Sequence, residues 1–127
     1  MTIRVHYEHQ LENLRDDLLR LGSRVEHALN HSVRSLQTWN TAIASQVIHD
    51  DVYIDELRQV LEDQVIHLIA TQQPVASDLR LIGMVFAVAS ELERIGDYAC
   101  GIARRVQRII ANPMIVTPPA GLEEMTH

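Results

Sequence analysis

Apolar residues recur at spacings of three and four along most of this chain, and that pattern leaves little choice of fold. The first stripe runs through Leu11, Leu14, Leu18, Leu21, Val25, Ala28, Ser32, Leu36 and Trp39. The second runs through Val47, Ile54, Leu57, Leu61, Val65 and Leu68, and the third through Ile82, Val85, Ala89, Leu92, Gly96, Ala99, Ala103, Val106 and Ile110. Such stripes are the apolar faces of amphipathic helices, close enough to heptads for a left-handed bundle. No stretch alternates with period two over a useful length, so strands are not expected.

Breakers divide the stripes into three. Thr38, Asn40 and Thr41 are cap-type residues between the first and second. In QQPVASD, Pro74 stops the second helix, and Ser77 or Asp78 can cap the third. Asn112-Pro113 ends the third helix, after Arg104, Arg105 and Arg108, which suit a helix C-terminus. Each helix then holds roughly 30 residues. Short loops make neighbours antiparallel, so the expected fold is all-α, an up-down-up antiparallel three-helix bundle over residues 1–112. Residues 113–127, with Pro118-Pro119 and LEEM, read as a proline-containing tail or the start of a further helical unit.

Charge and cysteine usage narrow the function. The 127 residues carry a formal net charge of −6, which argues against nucleic acid as the main partner because phosphate contacts need a basic face. One cysteine, Cys100, excludes an internal disulfide. The N-terminus has no apolar signal core, and the run near LIGMVFAVA is about half a membrane span. A soluble, cytoplasmic protein without membrane insertion is expected.

The residues that ask for chemistry are carboxylates. Glu93 and Asp97 stand four apart in ELERIGDYACGIAR, beside the apolar stripe, where like charges repel by a few tenths of a kcal/mol. Projected at about 100° per residue, Asp51 and Asp55 take the same offsets on the second helix. Between antiparallel neighbours, equal offsets either converge on one groove or diverge. The heights agree: the pairs centre on residues 53 and 95, whose midpoint is Pro74, the turn itself. Four oxygens-only side chains at one level would suit Mg²⁺, Ca²⁺ or Mn²⁺, or iron where carboxylates bridge several ions, with Zn²⁺ also admissible. Local neutralisation is the competing explanation. Arg58 is three residues from Asp55, and Arg94 three from Asp97, each able to form an exposed pair.

QQPVASDLR followed by ELERIGDYACGIA resembles the PhoU family of phosphate-uptake regulators. QVIHDDVYIDEL and LENLRDDLLRLGSRVEHAL fit the same family's second and first helices, and the resemblance covers about residues 7–110. It implies a PhoU-type three-helix repeat, where members typically carry two. It also implies a metal cluster, often iron, held by (E/D)xxxD motifs that here match Glu93, Asp97, Asp51 and Asp55. The implied function is restraint of phosphate uptake and phosphate-starvation signalling, through a phosphate ABC transporter's ATPase and a sensor kinase. A lone repeat would be expected to form a homodimer that imitates two. A helical interaction module with no metal role is the alternative.

Other candidates are weaker. His27 and His31 have metal-pair spacing but project away from the core. His6 and His9 precede the main stripe. His49 and Arg94 are candidates for supporting the carboxylates from behind. Cys100 projects to the carboxylate side and is expected to pack as a small hydrophobe. Gly96 falls on the core stripe, implying close helix approach. Enzymatic activity is not expected. The one Glu-x-x-His is Glu124 to His127, no Walker loop occurs, and no serine or cysteine has an evident base partner.

Overall fold

The computed structural model describes residues 2–112, and the sequence features at 113–127 lie outside them. Three helices follow one another: α1 over Thr2–Thr38, α2 over Thr41–Gln72 and α3 over Ala76–Ala111. Each packs against both of the others, giving the expected antiparallel bundle. No strand occurs among the described residues, and none of their helices is long and apolar enough to cross a membrane.

The first turn is tight because one pair of residues both ends α1 and starts α2. Trp39 takes the left-handed conformation (φ 52°), and the Asn40 N–H donates back to the Ser35 carbonyl at 3.1 Å. The Asn40 side-chain oxygen then accepts from the N–H groups of Ala42 and Ile43, at 2.9 and 3.2 Å. The second turn differs from expectation. Gln73 is left-handed (φ 45°), Pro74 follows, and α3 starts at Ala76 with Val75 as its uncapped extended residue. Ser77 and Asp78 therefore lie inside the helix. Asp78 accepts a hydrogen bond from the Tyr7 hydroxyl at 3.0 Å, tying the second turn of α1 to the first turn of α3.

The core keeps a seven-residue register. Leu14, Leu21, Ala28 and Ser35 are buried on α1, Val47, Ile54, Leu61 and Leu68 on α2, and Ile82, Ala89, Gly96 and Ala103 on α3. A strict heptad repeat is kept facing its partners by left-handed supercoiling. That is why Ser35 closes the α1 stripe and Leu36, expected inside from straight-helix spacing, is exposed. Trp39 and Ile110 are exposed as well, beyond the packed layers.

Side-chain size changes along the bundle. Near the Pro74 turn the interior is leucine, isoleucine and valine: Leu14, Leu61, Val65, Leu68 and Ile82. At the other end Val47 and Val106 are joined by smaller residues, Ala28, Ser32, Ser35, Ala44, Ala99 and Ala103. The two serines satisfy their hydroxyls on carbonyls three residues back, Ser32 on Leu29 at 2.8 Å and Ser35 on Ser32 at 2.7 Å. Gly96 stands between these zones. A Cβ placed on it would lie 3.3 Å from Ile54 Cγ2 and 3.9 Å from Val25 Cγ2, so all three helices come close here.

Candidate metal centre

Gly96 lets α3 settle on Ile54 of α2, and the residues flanking that contact are Asp51 and Asp55 on one helix and Glu93 and Asp97 on the other. The two pairs converge. Arg58 of α2 reaches Glu93 of α3, and the negative charge of Asp97 acts on Asp51 across the same groove, as that of Asp55 acts on Glu93. Of the two arrangements the sequence allows, the structure adopts the shared groove.

The groove has two unlike ends. At one, Arg58 is only 16% exposed and serves three carboxylates. Its two terminal nitrogens donate to Asp55 at 2.8 Å and to Glu62 at 2.7 Å. Its Nε lies against Glu93 Oε2 as an ion pair without the alignment of a hydrogen bond. At the other end, Asp51 and Asp97 make no ion pair among the described residues. Arg104 comes near enough to oppose the rise of the Asp51 and Cys100 pKa values. The Arg94–Asp97 pair that the spacing allows does not form; Arg94 turns to Glu91 at 3.9 Å.

Proton affinities follow from this crowding. Partial burial pushes the Asp51 carboxyl above its ordinary range, and the negative charges of Asp97 and Asp55 push it further. Partial burial also raises Glu93. Arg58 pulls it back down, while Asp97, Asp55 and Glu62 add to the rise. Cys100 is buried, as expected, and burial followed by the Asp51 charge raises its thiol, so it stays protonated and inert.

These shifts have a sign in stability. A carboxyl with a raised pKa in the folded state binds more protons folded than unfolded, starting at its ordinary value and continuing up through the raised one. Stability therefore falls as pH rises through that window. In chelator, Asp51→Asn is expected to be more stable than the parent at neutral pH, and the difference should shrink as pH is lowered into the ordinary carboxylate range. Urea midpoints across pH measure this; a constant difference would show that Asp51 carries no unfavourable charge.

The donor chemistry fits a hard cation, since the four side chains offer oxygens alone. Among the described residues, no three His, Cys, Asp or Glu side chains are gathered for a metal, and Arg58 takes up Asp55 and Glu93.

The remaining candidates sort by contact. The His49 ring meets Tyr53 edge to face, with centroids 6.1 Å apart, so that contact is on its own helix. His27 and His31 do not both face away from the core. Their rings meet at 4.0 Å, and half-buried His31 lines an α1–α2 groove with Val47, Asp50 and Ile54. They sit one residue before the buried Ala28 and Ser32, which brings them to the groove edge. What the sequence reading missed is the reach of Arg58. Its pairing with Glu62 had a signal, the four-residue spacing, whereas its contact with Glu93 depends on the packing of α3.

Known proteins resemble this chain over most of its length. A family model described as the PhoU domain matches residues 18–106, a span that includes all four carboxylates. The chain is 35% identical over 105 residues to the phosphate-specific transport system accessory protein PhoU homolog 1 of Thermotoga maritima, covering 83% of this chain and 45% of that protein. It is 38% identical over 104 residues to the PhoU homolog of Clostridium acetobutylicum, covering 81% of this chain and 48% of that protein. The crystal structure of PhoU from Pseudomonas aeruginosa superimposes with a TM-score of 0.79 at 35% identity, over 81% of this chain and 49% of that one. The chain spans about half the length of the curated relatives it matches. Sequence, fold and the span of the domain match agree, and the chain belongs to the PhoU family.

Proposed function

We propose that this chain is a non-enzymatic regulator of phosphate uptake and phosphate-starvation signalling, with Asp51, Asp55, Glu93 and Asp97 holding a metal cation in the α2–α3 groove. The observation that supports the metal part is that Asp55 of α2 and Glu93 of α3 meet on the one Arg58 side chain, with Asp51 and Asp97 one turn further along the same two helices. Iron, Mn²⁺, Mg²⁺, Ca²⁺ and Zn²⁺ are the candidates, and all-oxygen ligation favours the harder ones. The bound cation would supply positive charge to a surface that otherwise repels itself. The regulatory part rests on relatives named as accessory proteins of the phosphate-specific transport system.

The proposed partners are the ATPase of a phosphate ABC transporter and a sensor kinase, met in the cytoplasm. A second copy of the chain is also proposed. Met84 and Phe86 on α3 are exposed at 54% and 40%, with Val88, Ile95 and Tyr98 exposed further along the helix around Glu91, and a homodimer would cover these apolar side chains. Sedimentation velocity showing only monomer at tens of micromolar would remove the homodimer. Pull-down with the cognate ATPase and kinase tests the other partners.

Elemental analysis after purification without added metal is the primary test. The protein is expected to retain metal, and Glu93→Gln with Asp97→Asn to lose it. The second reading, a helical interaction module without metal, is favoured by the Arg58 contacts, which already neutralise half of the groove. Metal-free protein that shows no response to added cations would establish that reading instead.

A further inference from the structure

We infer that Arg58 is a built-in competitor of the metal: its guanidinium occupies Asp55 and Glu93 in the empty protein and must release them when a cation is held there. This inference rests on the metal reading above. Three observations carry it. Arg58 projects from α2 one helical turn from Asp55, so it enters the groove from the same helix as two of the proposed ligands. It is mostly buried, and its fork is shared among Asp55, Glu62 and Glu93. Only two of those three are proposed ligands. Glu62, four residues along the same helix and only 24% exposed, is a carboxylate to which Arg58 can stay bonded after giving up the others.

The arrangement is an exchange of one cation for another. Without Arg58, Asp55, Glu62 and Glu93 would crowd one end of the groove with no counter-charge, and their repulsion would be relieved by any hard cation. With Arg58, the same cation must first displace a bonded guanidinium, which lowers its apparent affinity. Asp51 and Asp97, free of ion pairs among the described residues, form the end where a cation meets no such competitor. Arg58 thereby sets how much metal is needed to fill the site, while the carboxylates set which metals can fill it.

Arg58→Gln keeps much of the side chain's length and hydrogen-bonding ability but removes the charge. In chelator this variant is expected to melt below the parent, because Asp55, Glu62 and Glu93 have lost the counter-ion they share. Titrated with Mn²⁺ as the probe, it is expected to bind about tenfold or more tightly than the parent, equivalent to 1.4 kcal/mol. It should also recover its lost thermal stability. Arg58→Lys, with a compact charge and no fork, should fall between. Three outcomes are separable. If the parent binds Mn²⁺ and Arg58→Gln binds it no more tightly, the competition is wrong while the metal site stands. If neither binds and the variant's loss of stability is not recovered, the groove is a salt-bridge network alone and both readings fall. If the variant binds and the parent does not, Arg58 competes strongly enough to close the site.

Discussion

Gly96→Leu is expected to destabilise the bundle by about 3 kcal/mol, the upper range for forcing a large side chain into a packed core. The reason is local. Even the first carbon of a side chain at residue 96 would stand 3.3 Å from Ile54 Cγ2, and the rest of a leucine would have to push between α2 and α1. Gly96→Ala should be close to neutral. It meets the same methyl, but alanine gains about 1 kcal/mol over glycine inside a helix. Gly83→Ala is the control: nothing lies within 4 Å of its Cβ, so the helix gain of up to about 1 kcal/mol should appear undiminished. Urea midpoints for the three variants test the set. A Gly96→Leu protein as stable as the parent would mean that α3 does not seat on Ile54 as described. The leucine should also cost metal content, because it separates the helices that carry the two carboxylate pairs.

The second large effect is expected from metal itself. A ligand that binds only the folded state, present at one hundred times its dissociation constant, stabilises by about 2.7 kcal/mol. For a domain near this size that is a rise in melting temperature on the order of 10 °C. Chelator should abolish the rise. Asp97→Asn should abolish most of it too, while leaving the metal-free protein unchanged or slightly more stable, because Asp97 makes no ion pair among the described residues. Glu93→Gln should differ in the metal-free state, since it withdraws one of the three carboxylates around Arg58. If chelator leaves the parent's melting temperature unchanged, and added cations do too, the groove does not hold metal.

The fold was readable because its signal is periodic. Leu21, Val25, Ile54, Leu61, Ile82 and Val85 sit inside for the reason their spacing gave. Spacing alone misplaced Leu36, since one residue of register depends on supercoiling, a property of three helices and not of one. The start of α3 was misread for a similar reason. Asp78 looks like a cap by type, but it lies across from Tyr7 of a different helix, and nothing local announces that contact. At the candidate site, level and rotational offset were legible because both follow from helix geometry and the position of Pro74. Convergence was not, because it depends on which side of α2 the third helix packs. The destination of Arg58 was partly hidden for the same reason, and Arg94 had two acids within three residues, Glu91 and Asp97, with nothing in the spacing to choose between them.

The change in core side-chain size along the bundle has a consequence for how the molecule opens. Leu14, Leu61, Leu68 and Ile82 near the Pro74 turn remove more apolar surface from water than the other end, where Val47 and Val106 are surrounded by alanines and serines. Local opening therefore costs least at the alanine- and serine-packed end, where amide protons should exchange sooner. Asp51 and Asp97 stand at the border between the two zones, on the side that loosens first. A cation held between them would act as a clasp at the edge of the weaker half, converting a fraying segment into a rigid one without moving the rest of the molecule.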